Sequence, residues 1–170
     1  GYVRARLAVT PGQVFAYSVG AGGAGGAVNL PGSPGVFTEF VITPATVYLR
    51  GLGGLGGTAM PIAAENRIVP GGRGGGTDNL GVAIFRESRG GAGGNARRFA
   101  PYTGAASQAE GGFGGSSGFG AGALGGVRGY VVSVGAGATG CGGAGPAASE
   151  SAATPGAGGA AGGIIVYEYS

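Results

Sequence analysis

The sequence predicts an irregular, mostly β fold with no α-helix: an array of short polyglycine II helices closed by β-strands from both chain ends. Three observations lead there. Glycine fills 46 of 170 positions, against an ordinary share of about 7%. It recurs too often for any helical window to survive, since each internal glycine costs a helix about 1 kcal/mol relative to alanine. The glycines are also ordered: the hexad Gly-Gly-x-Gly-Gly-x begins without error at Gly22, Gly53, Gly71, Gly90 and Gly111, where random placement would give about one match. Finally, β-branched and aromatic residues gather in short runs near both ends of the chain.

The chain divides into three parts of a single domain. Residues 1–20 read as an N-terminal hairpin: Tyr2 to Val9 alternates apolar and polar residues, Thr10-Pro11-Gly12-Gln13 turns, and Val14 to Val19 resumes. Residues 21–163 carry the glycine array and its loops. Period three is the repeat of an extended left-handed helix rising about 3.1 Å per residue, so one hexad spans only about 19 Å. In Gly-Gly-x two edges carry hydrogen alone and let neighbouring backbones exchange hydrogen bonds. The third edge carries Ala24, Leu55, Arg73, Ala92 or Phe113, with Gly23, Gly54, Gly91 and Gly112 expected to face inward. Within this part, Val36 to Leu49 is a β-rich run broken at Pro44, and Gly129 to Val134 a short strand candidate. Residues 164–170, opening Ile164-Ile165-Val166-Tyr167-Glu168-Tyr169, read as a closing strand that pairs with the N-terminal hairpin. Long glycine loops on a β-scaffold are the alternative architecture. Disorder is disfavoured by a positive mean hydropathy of +0.27 and by only 10% charged residues.

Composition excludes much chemistry. Lysine, histidine and tryptophan are absent, all ten cations are arginine, and there is a single cysteine, Cys141. Without lysine there is no Walker-type phosphate loop and no Schiff base. Without histidine there is no Ser-His-Asp or Cys-His nucleophile, and one cysteine makes no zinc cage. The sequence therefore predicts a non-enzyme without cofactor or metal. The net charge of +3 is a slight positive bias on a sparse surface, so no nucleic-acid partner is expected; the Arg73 and Arg89 Arg-Gly-Gly strings follow from the hexad period. Gly20-Ala21-Gly22-Gly23-Ala24-Gly25 fits a dinucleotide fingerprint, but Gly26, Pro31 and Pro34 forbid the helix it requires. Glu65, Asp78, Glu87 and Glu110 could pair as glycosidase carboxylates only if the fold fixed their separation. No glycine- and proline-free apolar run is long enough to span a bilayer, so no membrane insertion is expected. The start Gly1-Tyr2-Val3-Arg4 lacks an initiator methionine and a signal peptide, and reads as a piece of a longer or processed protein.

Val9-Thr10-Pro11-Gly12-Gln13, the stretch Tyr17 to Gly26, and the ending Gly162 to Tyr169 resemble the glycine-rich tip domain of bacteriophage tail fibres. Phe37-Thr38-Glu39-Phe40 and Arg50 to Gly54 resemble its middle section. The resemblance spans nearly the whole chain, is specific at the two ends and compositional between them. The chain departs from the family in having no tryptophan- or histidine-rich tip, and its glycine tracts are shorter. It implies a polyglycine II core displaying variable loops, located in the virion as part of a tail fibre. Its partners would be the rest of the fibre and a bacterial surface receptor, either lipopolysaccharide or an outer-membrane protein. A homotrimer is compatible with a fibre tip, although no heptad marks one.

Candidate receptor contacts lie in the loops between hexads. Segment 96–110 gathers Arg97, Arg98, Phe99 and Tyr102 beside Pro101, and segment 59–69 offers Asn66 and Arg67. Arginine and aromatic side chains dominate binding hot spots, and arginine forks suit the carboxylates and phosphates of bacterial envelopes. If successive glycine segments run antiparallel, these two loops emerge at one end of the array and segment 77–89 at the other. The contrasting reading is a secreted self-assembling glycine-rich structural protein, of the cell-surface or ice-binding kind. It would need flat repetitive faces, which these irregular loops do not provide.

Overall fold

A computed structural model of the chain describes residues 1–27, 30–42, 47–59, 68–98, 109–122, 125, 139–140, 142–145 and 155–168. Among them the fold is mostly β, in antiparallel sheets, without a helix. No helix among the described residues is long and apolar enough to cross a membrane. β1 (Tyr2–Ala5) and β7 (Ile84–Ser88) form a two-stranded ribbon. β2 (Phe15–Ser18), β3 (Thr38–Ile42), β4 (Val47–Gly51) and β6 (Thr77–Leu80) form a four-stranded sheet in that order. β5 (Ile68–Val69), β8 (Ala96–Arg98) and β9 (Ala109–Glu110) form a small third sheet.

Between the sheets run the glycine-rich segments 20–26, 32–36, 52–58, 71–76, 90–95, 111–116, 142–145 and 156–162. Backbone hydrogen bonds make successive ones antiparallel neighbours. Ser33 and Val36 donate to Ala24 and Ala21, and Gly32 and Gly35 donate to Gly57 and Gly54. Leu52 and Leu55 donate to Gly76 and Arg73, Gly90 and Gly93 to Gly75 and Gly72, and Phe113 and Ser116 to Gly94 and Gly91. The last segment closes on the first, with Gly156, Gly159 and Gly162 donating to Gly26, Gly23 and Gly20 at 2.8–3.1 Å. Segment 142–145 is innermost: it donates to Gly115, Gly112 and Ala157, accepts from Gly57 and Gly26, and all four residues are buried.

The burial pattern follows the sequence period. Ala21, Ala24, Leu52, Leu55 and Arg73 are exposed, while Gly23, Gly26, Gly54, Gly57, Gly72 and Gly75 are buried. A Cβ on Gly23 would collide with the Ser33 carbonyl oxygen, one on Gly53 with that of Gly35, and one on Gly56 with that of Gly32. At Gly54 and Gly112 the nearest backbone atoms would lie 3.3 Å away, tight but less severe. Gly91 departs from expectation: it is exposed, and a Cβ there meets only the Ser116 hydroxyl at 2.7 Å. Among the described residues, its outer glycine edge meets no neighbouring backbone segment. The apolar side chains buried among the described residues are few and mostly small: Ile42, Ala96, Ala144 and Ala157.

The strands depart from the sequence reading in three places. No N-terminal hairpin forms: β1 pairs with β7 and β2 with β3. Aromatic contacts lie with those distant partners, Phe15 stacking on Phe40 at 5.3 Å and the Arg4 guanidinium lying 5.4 Å from the Phe85 ring centroid. Among the described residues, 164–168 belong to no strand and pair with no N-terminal element, and Tyr169 and Ser170 lie outside the described residues; Ile165, Val166 and Tyr167 are 64–67% exposed. The array register runs to Gly162, where Gly162 donates to Gly20; beyond it no described residue of 164–168 joins the ladder of β1 or β2, each of which pairs on one side only, with β7 and β3. The apolar run Val82 to Phe85 has the composition of a buried strand, yet it contributes to an exposed ribbon, with Phe85 73% exposed. The Val36–Leu49 run does form two paired strands, β3 and β4. Pro44, the Gly129–Val134 candidate and Cys141 lie outside the described residues.

The close approach at buried glycines gives a direct test. Gly23→Val should destabilise by about 1–3 kcal/mol through overpacking, lowering Tm by about 2–4 °C per kcal/mol for a chain of this size. Ala24→Val, at the exposed edge, should leave Tm within about a degree. Thermal unfolding followed by circular dichroism checks both, and equal effects would contradict backbone contact at Gly23.

Candidate functional site

The two ends of the array carry different chemistry. At one end stands the β5–β8–β9 sheet. Ile68 and Val69 pair with Arg97 and Ala96, and Arg97 and Arg98 pair with Glu110 and Ala109. Ala96 is fully buried and anchors the middle strand against the glycine segments. Two further ties fix the sheet there: the Thr58 hydroxyl donates to the Pro70 carbonyl, and the Gly71 N–H donates to Asn95 Oδ1 at 3.4 Å. The register has a consequence for the loops. Residues 60–67 lead directly into Ile68, and residues 99–108 join Arg98 to Ala109. Ile68, Arg98 and Ala109 all sit at one end of this sheet.

Arg97 is exposed and lies in a cross-strand row between Ile68, itself 64% exposed, and Glu110. Cross-strand partners share a sheet face, so one face of this end presents an apolar side chain, a guanidinium and a carboxylate. Arg98 is placed by its backbone as the last residue of β8. Phe99, Tyr102, Asn66 and Arg67 lie outside the described residues. The four-stranded sheet and the ribbon occupy the opposite end, because segment 71–76 runs antiparallel to 52–58 and delivers the chain to β6 there.

That opposite end holds a polar row that sequence reasoning missed. Ser18, Glu39, Arg50 and Asp78 are direct partners across β2, β3, β4 and β6. Arg50 Nη2 lies 2.8 Å from Glu39 Oε1 and Nη1 lies 3.4 Å from Asp78 Oδ2, while Nε donates to Glu39 at 2.9 Å. The guanidinium carbon also sits 4.2 Å from the Tyr48 ring centroid and 5.1 Å from that of Phe37. The Glu39 hydrogen bond is the main cause holding the Arg50 pKa above its ordinary value. With two carboxylates and two aromatic faces engaged, Arg50 clamps the sheet rather than offering a vacant fork to a ligand. The single residues Glu39, Arg50 and Asp78 are visible in the sequence, but only the strand register aligns them.

The four carboxylates considered as a hydrolytic pair are dispersed. Asp78 joins Arg50, and Glu87 accepts from Thr77 Oγ1 at 2.8 Å and Asn79 Nδ2 at 3.3 Å. Glu110 belongs to the sheet at the far end, and Glu65 lies outside the described residues. Among the described residues no three His, Cys, Asp or Glu side chains gather as a metal site.

The clamp makes a graded prediction. Arg50→Gln should lower Tm, and double-mutant cycles should give a larger coupling to Glu39→Gln than to Asp78→Asn. The Glu39 contact is shorter and its side chain only 17% exposed, against 48% for Asp78, so solvent screens it less. Equal couplings measured by thermal unfolding would contradict this ranking.

In comparisons with known proteins, no protein-family model, curated protein or solved structure matches this chain.

Proposed function

We propose that the glycine-rich segments are short polyglycine II helices and that the chain is a non-enzymatic recognition tip of a bacteriophage tail fibre. The helical reading is supported by hydrogen-bond donors three residues apart in one segment, Gly156, Gly159 and Gly162, meeting acceptors three apart in another. It is supported again by exposure that repeats every third residue in segments 20–26 and 52–58. Both are what a three-residue turn without internal hydrogen bonds requires.

The observation that carries the functional reading is the register of β5, β8 and β9. It joins the loop carrying Asn66 and Arg67 and the loop carrying Phe99 and Tyr102 to the same end of a backbone-packed array. A scaffold held through many interlocking peptide groups fixes the loop ends, so less ordering entropy is lost on binding. In this reading Arg97, Arg98, Phe99 and Tyr102, supported by Asn66 and Arg67, contact a bacterial surface receptor. Guanidinium forks engage carboxylate or phosphate, and flat aromatic rings stack on sugars or apolar loops. The exposed third positions of the array differ in character, Ala24, Leu55 and Arg73 among them, which disfavours a repetitive self-assembling face.

The test is cell binding. Labelled protein is screened against a panel of Gram-negative strains to find one that retains it, and that strain is compared with a derivative lacking its surface polysaccharide. The combined change Arg98→Ala with Phe99→Ala should weaken binding at least about tenfold, a loss of about 1.4 kcal/mol, while Tm moves by less than about 2 °C. Unchanged binding, or binding and stability lost together, would contradict the assignment.

A further inference from the structure

The β1–β7 ribbon, at the end of the molecule opposite the proposed receptor loops, has an arrangement that packing alone does not favour. Arg4 and Arg86 are direct cross-strand partners, and both are exposed. Like charges placed opposite one another destabilise a strand pair. Among the described residues neither guanidinium has a carboxylate partner, the ion pairs found there being those of Arg50. The nearest acid in sequence, Glu87, is the partner of Val3 and so faces the other side of the ribbon, where Thr77 and Asn79 hold it. Arg6 and Arg89, also exposed, follow the two strands and add to the positive charge.

A β-bulge brings an aromatic ring to the same place. The register steps from Arg4↔Arg86 to Ala5↔Ile84, leaving Phe85 as the extra residue. In a regular strand Phe85 would alternate with Arg86 and share the face of Glu87. A bulge re-aims its residue, and here the Arg4 guanidinium lies 5.4 Å from the Phe85 centroid. Phe85 remains 73% exposed. Beside this cluster Tyr2 is capped edge-on by Phe119, with centroids 5.7 Å apart, which fixes the ribbon in place.

We infer that the Arg4–Arg86 pair and Phe85 form a binding site for an acidic saccharide. Two guanidinium forks on one ribbon face match a carboxylate or phosphate on the sugar, and the bound anion relieves the repulsion that the empty site carries. The exposed ring beside them supplies a flat apolar surface for a pyranose face. This site stands apart from the loops at the other end, and neither assignment depends on the other.

The experiment measures calorimetric binding of oligogalacturonate to the full chain, with neutral dextran and inorganic phosphate as the comparison probes. Oligogalacturonate should bind, more weakly as salt rises from 50 to 300 mM, and dextran should not. The double variant Arg4→Gln/Arg86→Gln should weaken oligogalacturonate binding at least about tenfold while Tm moves by less than about 2 °C, because the relieved repulsion offsets the lost Arg4–Phe85 contact. Phe85→Ala should weaken oligogalacturonate but leave the weak binding of inorganic phosphate unchanged, and Arg98→Ala/Phe99→Ala should change neither. The inference is overturned if dextran binds equally well, if the arginine variant binds like the original chain, or if its binding and Tm fall together. It is also overturned if Phe85→Ala leaves oligogalacturonate binding intact, or if the loop variant abolishes it.

Discussion

The rest of this structure depends on peptide groups approaching one another with no side chain between them. An ordinary domain of this length is held by buried aliphatic and aromatic side chains, each worth roughly 1.5–3 kcal/mol. Here the buried apolar side chains among the described residues are one isoleucine and three alanines. The interior is instead backbone, with the carbonyls of Ser33, Gly35 and Gly32 pressed against Gly23, Gly53 and Gly56. Each inter-segment hydrogen bond contributes only about 1 kcal/mol net, and glycine loses more conformational freedom on folding than any other residue. Such a core works only if the bonds are many and mutually reinforcing. Segment 142–145, bonded to four neighbouring segments, is where that reinforcement concentrates.

This constraint also sorts the chemistry. Since two of every three positions in a hexad carry no side chain, functional groups are confined to the exposed third position and to the sheets and loops at the ends. Those sheets behave differently from one another. The four-stranded sheet satisfies its charge internally through Glu39, Arg50 and Asp78. The β1–β7 ribbon leaves two guanidiniums opposed. The β5–β8–β9 sheet is too short to have a core of its own and serves mainly to join two loops to one end of the array. Backbone contact thus fills the middle of the array, and chemical variety lies at its ends.

What could be read in the sequence was whatever local period controls. The exposure of Ala24, Leu55 and Arg73 and the burial of Gly23 and Gly54 follow from a three-residue repeat, and β3 and β4 follow from β-branched and aromatic runs. Partner choice was not legible, because alternation reveals that a strand has two faces without saying what it pairs with. Tyr2–Ala5 therefore looked like half of a hairpin, yet it pairs with residues about eighty positions away. Ile164 to Tyr169 reads as a closing strand, yet its described residues, as far as Glu168, join none of the described strands. The Ser18–Glu39–Arg50–Asp78 row and the re-aimed Phe85 required register and a bulge, neither of which leaves a mark in composition. Of the loop residues read as receptor contacts, Arg97 and Arg98 are placed by β8, while Phe99, Tyr102, Asn66 and Arg67 lie outside the described residues.

The most direct measurement of a backbone-held core is amide hydrogen exchange resolved by residue. If inter-segment peptide hydrogen bonds hold the fold, the amides of Gly142, Ala144 and Gly145 should exchange only through global unfolding. Gly156, Gly159 and Gly162 should be protected in the same three-residue rhythm as their bonds to Gly26, Gly23 and Gly20. Glycine-segment amides exchanging at unfolded-chain rates, with protection confined to strand residues such as Phe40 and Leu49, would contradict it.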